Sequence, residues 1–374
     1  MRDALFRVLF RIVRALRPKK RDGRRTILVL QYAMPLGCCV HGTPIYAAIK
    51  RVDPAANVIV ASRGLGFATL RHDPHIDHLI ETPDPMASFV SLWTTARMIR
   101  RLLLARGWHP DIVLQDASNR RGTFALFALL LRIAPAAGFA NAAALYDRHL
   151  SYDPNLSLID NNLRLVESQV HLEPAVYFTP NELERVRAML REANPAGASM
   201  VGFVVQGSGG QRTGWHDERF VAVIEHVQKL GYLPVFFGVA EDAPRIERIR
   251  GLAGSPGHSF AGRTSVSELA AMLCLCDFVV TVDTGTMHVG RAVDVPMVVL
   301  GPSWQKPLEW LPLGKANVRI LRGVDRADVP VDYRLDEIEA ADVIAAFDEL
   351  AGLFPPSVQE REQRVTQRLS TVRA

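Results

Sequence analysis

Apolar positions along this chain fall into short β-branched runs separated by stretches with helical spacing, and the two alternate from Thr26 onward. Ile27-Leu28-Val29-Leu30 predicts a buried strand, 42–51 a helix, Val58-Ile59-Val60 a strand and 77–81 another. A helix follows over 89–105, a strand over 111–115 and a core helix over 123–133. Polar residues crowd 146–162, and a further helix is expected from there to Val170. Val176-Tyr177-Phe178-Thr179-Pro180, with a helix starting near Asn181, reads as the passage to a second series. That series predicts strands over 200–205, 233–237, 276–282, 296–300 and 318–321. Helices are expected over 217–230, 242–250, 265–275, from 285 and over 336–353. Pro355-Pro356 stops the last of these, and the polar residues up to Ala374 read as a frayed helical end. Repeated βα units imply parallel, Rossmann-like sheets, so the expected organisation is an arm over 1–25 and domains over 26–175 and 176–335. A C-terminal helix and tail over 336–374 complete it.

The arm differs from everything after it. Leu5, Phe6, Leu9, Ile12, Val13 and Leu16 recur at helical spacing while Arg7, Arg11, Arg14 and Arg17 line the flank, which predicts a basic amphipathic helix. Arginines interrupt every candidate signal-peptide core, and the apolar run is too short to span a bilayer. Ten Arg/Lys against Asp3 and Asp22 give residues 1–25 a net +8, so the remainder of a chain of +5 carries −3. The basic character therefore belongs to the arm, which suits an anionic membrane surface, and a nucleic-acid-binding body is disfavoured. The whole chain, 374 residues with 48% hydrophobic and 22% charged, has an ordinary globular composition long enough for two domains. The cysteine pairs Cys38-Cys39 and Cys274/Cys276 match neither a zinc ribbon nor a CxxC redox motif and read as buried thiols.

The candidate chemistry sits where strands give way to helices. At Asp283-Thr284-Gly285-Thr286-Met287-His288 an apolar strand stops and a helix begins at once, with Thr284 and Thr286 as caps and first-turn N–H groups free for a phosphate. Gln206-Gly207-Ser208-Gly209-Gly210-Gln211-Arg212 follows the first strand of the second series and offers small residues plus a guanidinium to an anion. Neither this loop nor Gly64-Leu65-Gly66-Phe67-Ala68-Thr69 completes a dinucleotide GxGxxG. No Asp-x-Asp metal signature is present.

Val282-Asp283-Thr284-Gly285-Thr286-Met287-His288, followed by Gly301-Pro302-Ser303 and Trp310-Leu311-Pro312, resembles the nucleotide-sugar signature of the heptosyltransferases, glycosyltransferase family 9. The resemblance implies the GT-B fold: α/β, with two Rossmann-like domains whose parallel sheets face a cleft. It implies inverting transfer without metal or cofactor from a nucleotide sugar, ADP-heptose in typical members, to a lipopolysaccharide core or other lipid-linked or phosphorylated glycan. Gly207, Ser208, Gly209, Arg212 and 283–288 would then bind the donor, with Arg212 and Trp215 resembling the family's basic residue near a Trp. The usual Lys two residues before that Trp is Thr213 here. The run 35–50 resembles the family's N-terminal loop and helix, and Gly37, Arg120 and Arg121 are the acceptor-binding candidates. The family places its base, an Asp, immediately after that Gly; this chain has Cys38. Candidate replacements are His41, which would lie at a helix start and titrates near neutrality, and Asp116 at the end of the fourth strand. Asp283 could hold donor hydroxyls or fix its loop. Two other readings stay open on the same fold: a catalytically impaired relative acting as a sensor or scaffold, and a sugar-nucleotide epimerase. Lipid acceptors place the expected enzyme in the bacterial cytoplasm, peripheral to the inner membrane.

Overall fold

The computed structural model describes residues 23–33, 35–131, 133–168, 170–207 and 212–370, together with Val8 and Ile12. The amphipathic arm expected over 1–25 therefore lies almost wholly outside the described residues, as do Ser208, Gly209, Gly210 and Gln211 of the expected phosphate loop. The chain divides into two compact units that meet at Pro174 and Ala175.

The first unit is organised on β1 (Thr26–Gln31), whose six residues are all buried because strands flank it on both sides. β2 (Asn57–Ser62), β3 (His78–Glu81), β4 (Ile112–Gln115), β5 (Ala136–Gly138) and β6 (Arg148–His149) complete a parallel sheet in the order β3-β2-β1-β4-β5-β6. Helices α1 (Leu36–Gly42), α2 (Pro44–Val52), α3 (Gly64–Leu70), α4 (Phe89–Ala105), α5 (Gly122–Leu131) and α6 (Leu158–Leu163) cover it. α5 is apolar on every side and packs on α4, so it is enclosed as a core helix, as its composition predicts. Phe124 and Phe127 of α5 join Leu28, Leu30 and Ile59 in the core of this unit.

Two expectations fail here for local reasons. The helix read from residue 42 begins at Leu36: Thr43, whose Oγ1 donates to the Val40 carbonyl at 2.8 Å, divides one helical stretch into α1 and α2. The helix expected to run to Val170 starts inside the polar stretch instead, because Ser157 caps it, and it ends with the one-turn Arg164–Val166 segment. The short strands β5 and β6 carry too few residues to show a period in the sequence.

The second unit repeats the topology. β7 (Met200–Val204), β8 (Leu233–Phe236), β9 (His258–Ser259), β10 (Phe278–Val282), β11 (Met297–Leu300) and β12 (Val318–Leu321) form a parallel sheet in the order β12-β11-β10-β7-β8-β9. In each unit the first and fourth strands are neighbours at the centre, the arrangement that opens a ligand crevice beyond their C-terminal ends. α7 (Pro180–Ala193), α8 (Asp217–Lys229), α9 (Ala243–Leu252), α10 (Val266–Leu275), α11 (Gly285–Val293), α12 (Pro307–Trp310), α13 (Ala340–Leu353) and α14 (Val358–Arg368) surround this sheet. α7 and α10 start with full capping boxes, Thr179 with Glu182 and Ser265 with Glu268.

The tail is not frayed over 358–368. α14 is held by Arg364, which donates to the Cys274 and Cys276 carbonyls, and by Arg368 Nε on the Ala292 carbonyl at 2.6 Å. Arg361 pairs with the buried Asp277, and Arg187 of α7 with Glu362. Sparse apolar residues hid this helix, since its attachments are charged. α13 packs on α8 and β12 within the same unit. Among the described residues no helix is long and apolar enough to cross a membrane.

Candidate functional site

In the second unit the loops after β7 and β10 come together. Gly207 is pressed so close to Thr213 and the Asp283 carbonyl that a Cβ there would lie 1.9 Å from Thr213 Oγ1 and 3.3 Å from Asp283 O. A side chain at 207 would displace the Thr213 hydroxyl within its own loop and press on the Asp283 carbonyl of the other. Trp215 ends the first loop as an anchor: it is fully buried, its Nε1 donates to the Ile338 carbonyl at 2.9 Å, and its ring meets Phe220 edge-on at 4.8 Å. The tryptophan of the motif thus faces the core instead of a ligand.

Arg212 has a positive φ of 27°. Its guanidinium donates to Asp328 Oδ1 at 3.2 Å and to the Val329 carbonyl. Arg245 of α9 clamps both ends of the loop, donating to the Val205 carbonyl at 2.7 Å, to Gln206 Oε1 at 2.8 Å, to the Trp215 carbonyl and to Asp217. Sequence reading missed Arg245, because nothing in a surface-type helix marks one arginine as the fastener of a loop from another part of the chain.

β10 ends at Val282, and Asp283 extends the ladder by one bond, its N–H donating to the Leu300 carbonyl at 3.1 Å. Thr284 occupies the N-cap position of α11 in extended geometry, yet its side chain makes no capping hydrogen bond. The expected Thr284 cap is absent, which leaves the first-turn N–H groups of α11 without that partner. Gly285 and Thr286 are partly exposed there, whereas Met287 is fully buried, so only its backbone could meet a donor.

Asp283 is itself buried, and burial alone pushes its carboxyl up to about 6. His288 Nε2 lies 3.8 Å from Asp283 Oδ1, but burial, reinforced by Arg291, pushes the imidazole down to about 3. The contact is therefore between a neutral ring and a carboxyl, not an ion pair. The Trp310 ring stands 6.4 Å from that of His288. The turn after β11 is fixed by Arg322, which donates to the carbonyls of Pro302, Ser303 and Gln305, while Ser303 Oγ contacts Tyr333 Oη at 3.0 Å.

In the first unit a buried polar network fills the C-terminal ends of β1 and β4. Gln31 donates to the Cys39 carbonyl at 2.8 Å and accepts from Tyr46, and Gln115 accepts from Tyr146. Asp116 follows β4 directly. Its Oδ1 accepts from Ser118 N at 3.2 Å and Ser118 Oγ at 2.6 Å, while its buried Oδ2 has no hydrogen-bond partner among the described residues. Burial raises this carboxyl to about 6 against the lowering effect of Ser118. Gly42 approaches the same atoms: a Cβ on it would stand 3.6 Å from Asp116 Oδ2 and 2.4 Å from Gln31 Nε2.

His41 is not at a helix start. It occupies the last turn of α1, is fully buried, and its carbonyl accepts from Asn162 Nδ2 at 3.2 Å. Gly37 is buried and Cys38 partly exposed in the first turn of that helix, while Cys39, Cys274 and Cys276 are buried. Arg120 and Arg121 are exposed, Arg120 lying 3.9 Å over the Tyr152 ring. Asn119 Oδ1 accepts from Arg121 N at 3.3 Å, an Asx turn that ends before α5 begins.

Comparison with known proteins agrees with this architecture. The lipooligosaccharide heptosyltransferase 2 of Haemophilus influenzae is 26% identical over 168 residues, 42% of this chain and 47% of that relative's length. The lipopolysaccharide heptosyltransferase 3 of Escherichia coli K12 is 24% identical over 348 residues, covering 86% of this chain and 97% of the relative. The solved E. coli ADP-heptose lipopolysaccharide heptosyltransferase II shares the fold, with a TM-score of 0.72 at 17% identity over 88% of this chain and 99% of that one. The family described as glycosyltransferase family 9 (heptosyltransferase) matches residues 111–328, more than half of the chain, and takes in both Asp116 and the turn at Asp283. The chain belongs to glycosyltransferase family 9, the heptosyltransferases.

Proposed function

We propose that this protein transfers a heptosyl group from a nucleotide-activated heptose, ADP-heptose in the first instance, to a lipopolysaccharide-type acceptor. The observation that carries the reading is the start of α11, where first-turn N–H groups lacking a Thr284 cap stand beside the Gly207 loop and can take a diphosphate. Arg212 supplies the positive charge there, and this arrangement serves the leaving group in place of a metal. The acceptor hydroxyl oxygen bonds to the anomeric carbon from the face opposite the leaving diphosphate, the bond from that carbon to the diphosphate oxygen breaks, and configuration inverts. The hydroxyl proton passes to a base on the first unit. Of the two candidates we favour Asp116 over His41: its Oδ2 has no competing donor and its carboxyl, raised to about 6, is matched to proton acceptance near neutrality. His41 is enclosed inside a helical turn. Arg120 and Arg121, exposed on the same loop, suit a phosphorylated glycan. The basic arm, residues 1–25, would hold the enzyme at the inner face of the inner membrane, where such acceptors are built.

A panel of radiolabelled nucleotide sugars incubated with membranes from a core-truncated strain tests this directly. Label transferred to lipid supports the transferase, and free altered sugar nucleotide would mark an epimerase. One observation favours a second reading, a binding protein that has lost turnover: Cys38 stands where the family has its Asp. Donor binding without transfer, together with a large gain of rate in Cys38→Asp, would establish that reading instead.

A further inference from the structure

α4 presents two faces that differ in chemistry. Leu92, Ala96, Ile99 and Leu103 are buried against the core of the first unit. On the other side Phe89 is 72% exposed, Val90 69%, Trp93 48% and Leu104 51%. At 3.6 residues per turn these four and Arg97, Arg100 and Arg101 fall within an arc of roughly 120°. The helix contains no acidic residue, and Arg106 follows its last turn. Such a concentration of positive charge is unlike the rest of the body, which is net negative once residues 1–25 are set aside. Exposed aromatic and aliphatic side chains interleaved with arginines, without a single carboxylate, complement an anionic lipid surface: rings enter the headgroup boundary and guanidinium groups remain at the phosphates. Arg97 already lies 5.2 Å over the Trp93 ring, so the two can enter that boundary as one unit.

We propose that the exposed face of α4 is a membrane-docking surface for anionic phospholipid, separate from the arm and independent of the transfer reaction proposed above. It lies on the first unit, and Phe89, Val90 and Trp93 open the helix that follows β3, so they stand toward the end of the sheet where strands terminate. Docking there would bring that end of the first unit to the lipid phase.

The test uses the full chain, arm included. Vesicles of phosphatidylcholine with phosphatidylglycerol are compared with phosphatidylcholine alone by flotation, and brominated lipids report tryptophan quenching. Binding should require the anionic lipid, and quenching should fall sharply in Trp93→Phe while flotation persists. Arg97→Gln combined with Arg101→Gln should lower the partition coefficient about 30-fold, at roughly fivefold per charge. Quenching unchanged in Trp93→Phe, or equal flotation of the double variant and the wild type, would overturn the proposal. So would sedimentation showing that wild type self-associates without lipid and that Phe89→Ser with Trp93→Ser abolishes it, since a second copy would then cover this face.

Discussion

The fourth strand of each unit is bracketed by aspartates, and comparing the two strands separates what the fold requires from what chemistry requires. β4 lies between Asp111 and Asp116, β10 between Asp277 and Asp283. The leading aspartates do the same thing: Asp111 Oδ2 accepts the Thr26 N–H of β1 and Asp277 Oδ2 the Met200 N–H of β7, each at 2.9 Å. Each thereby satisfies a backbone donor at the start of the neighbouring central strand. The trailing aspartates share burial and a carboxyl raised to about 6, but their surroundings diverge. Asp283 runs straight into α11 and lies against neutral His288, whereas Asp116 sits in a Ser118-bonded turn, and α5 begins only at Gly122. A helix N-terminus at once after the strand suits a diphosphate; a carboxylate held by a hydroxyl with one oxygen uncommitted suits proton transfer. The same topology therefore places one buried carboxylate per unit, and the loops behind the two differ.

The largest effect is expected at Trp215. If it is an anchor that shapes the donor loop, Trp215→Ala should cost about 3–5 kcal/mol of stability by urea denaturation, the usual result of emptying a large buried aromatic site. Stability unchanged within error would return Trp215 to the ligand. A smaller effect is expected at Arg212: Arg212→Ala should weaken nucleotide binding by roughly 1.5–3 kcal/mol in calorimetry, a charge-assisted hydrogen bond to diphosphate. Unchanged affinity in the folded variant would remove it from the donor site.

Burial of the trailing aspartates makes a prediction of opposite sign. A carboxyl raised to about 6 in the folded chain and near 3.9 when unfolded disfavours folding when ionised, so the penalty is present above pH 6 and fades as pH falls toward 4. Asp116→Asn should therefore stabilise the protein by about 1–3 kcal/mol at neutral pH, a gain that shrinks on acidification. Denaturation midpoints at the two ends of that window would show it, and a loss of stability at neutral pH would mean that the carboxylate is structurally required. The smallest effect belongs to Asp328, which is 91% exposed where it meets Arg212. Asp328→Ala should change stability by less than about 1 kcal/mol, as exposed ion pairs do.

Much of the fold was legible because parallel strands buried on both faces read as continuous apolar runs: β1 and β7 fall within a residue of their expected ends, and β10 stops where expected although it starts two residues late. The turn at Asp283 was legible for the same reason, since strand, Asp-Thr-Gly and helix follow without a gap. Other features were hidden by their physics. α14 is tied down by arginines to backbone carbonyls, an attachment with no apolar period. Arg245 reaches its loop across 30 to 40 residues of sequence. His41 resembled an available base because a sequence does not reveal which side of a short helix is enclosed, and Thr284 resembled a cap because side-chain rotamer, not residue type, decides whether the bond forms.

We propose that the two trailing carboxylates divide the reaction, Asp116 taking the proton and Asp283 serving the donor. Single-turnover transfer across pH at saturating donor, with donor affinity measured in parallel for wild type, Asp116→Asn and Asp283→Asn, tests it most directly. The wild-type rate should fall as pH drops below about 6. Asp116→Asn should lose about 10²- to 10⁴-fold in rate at unchanged donor affinity, and Asp283→Asn should weaken donor binding. An Asp116→Asn variant that keeps the wild-type rate and the same acid limb would rule Asp116 out as the base.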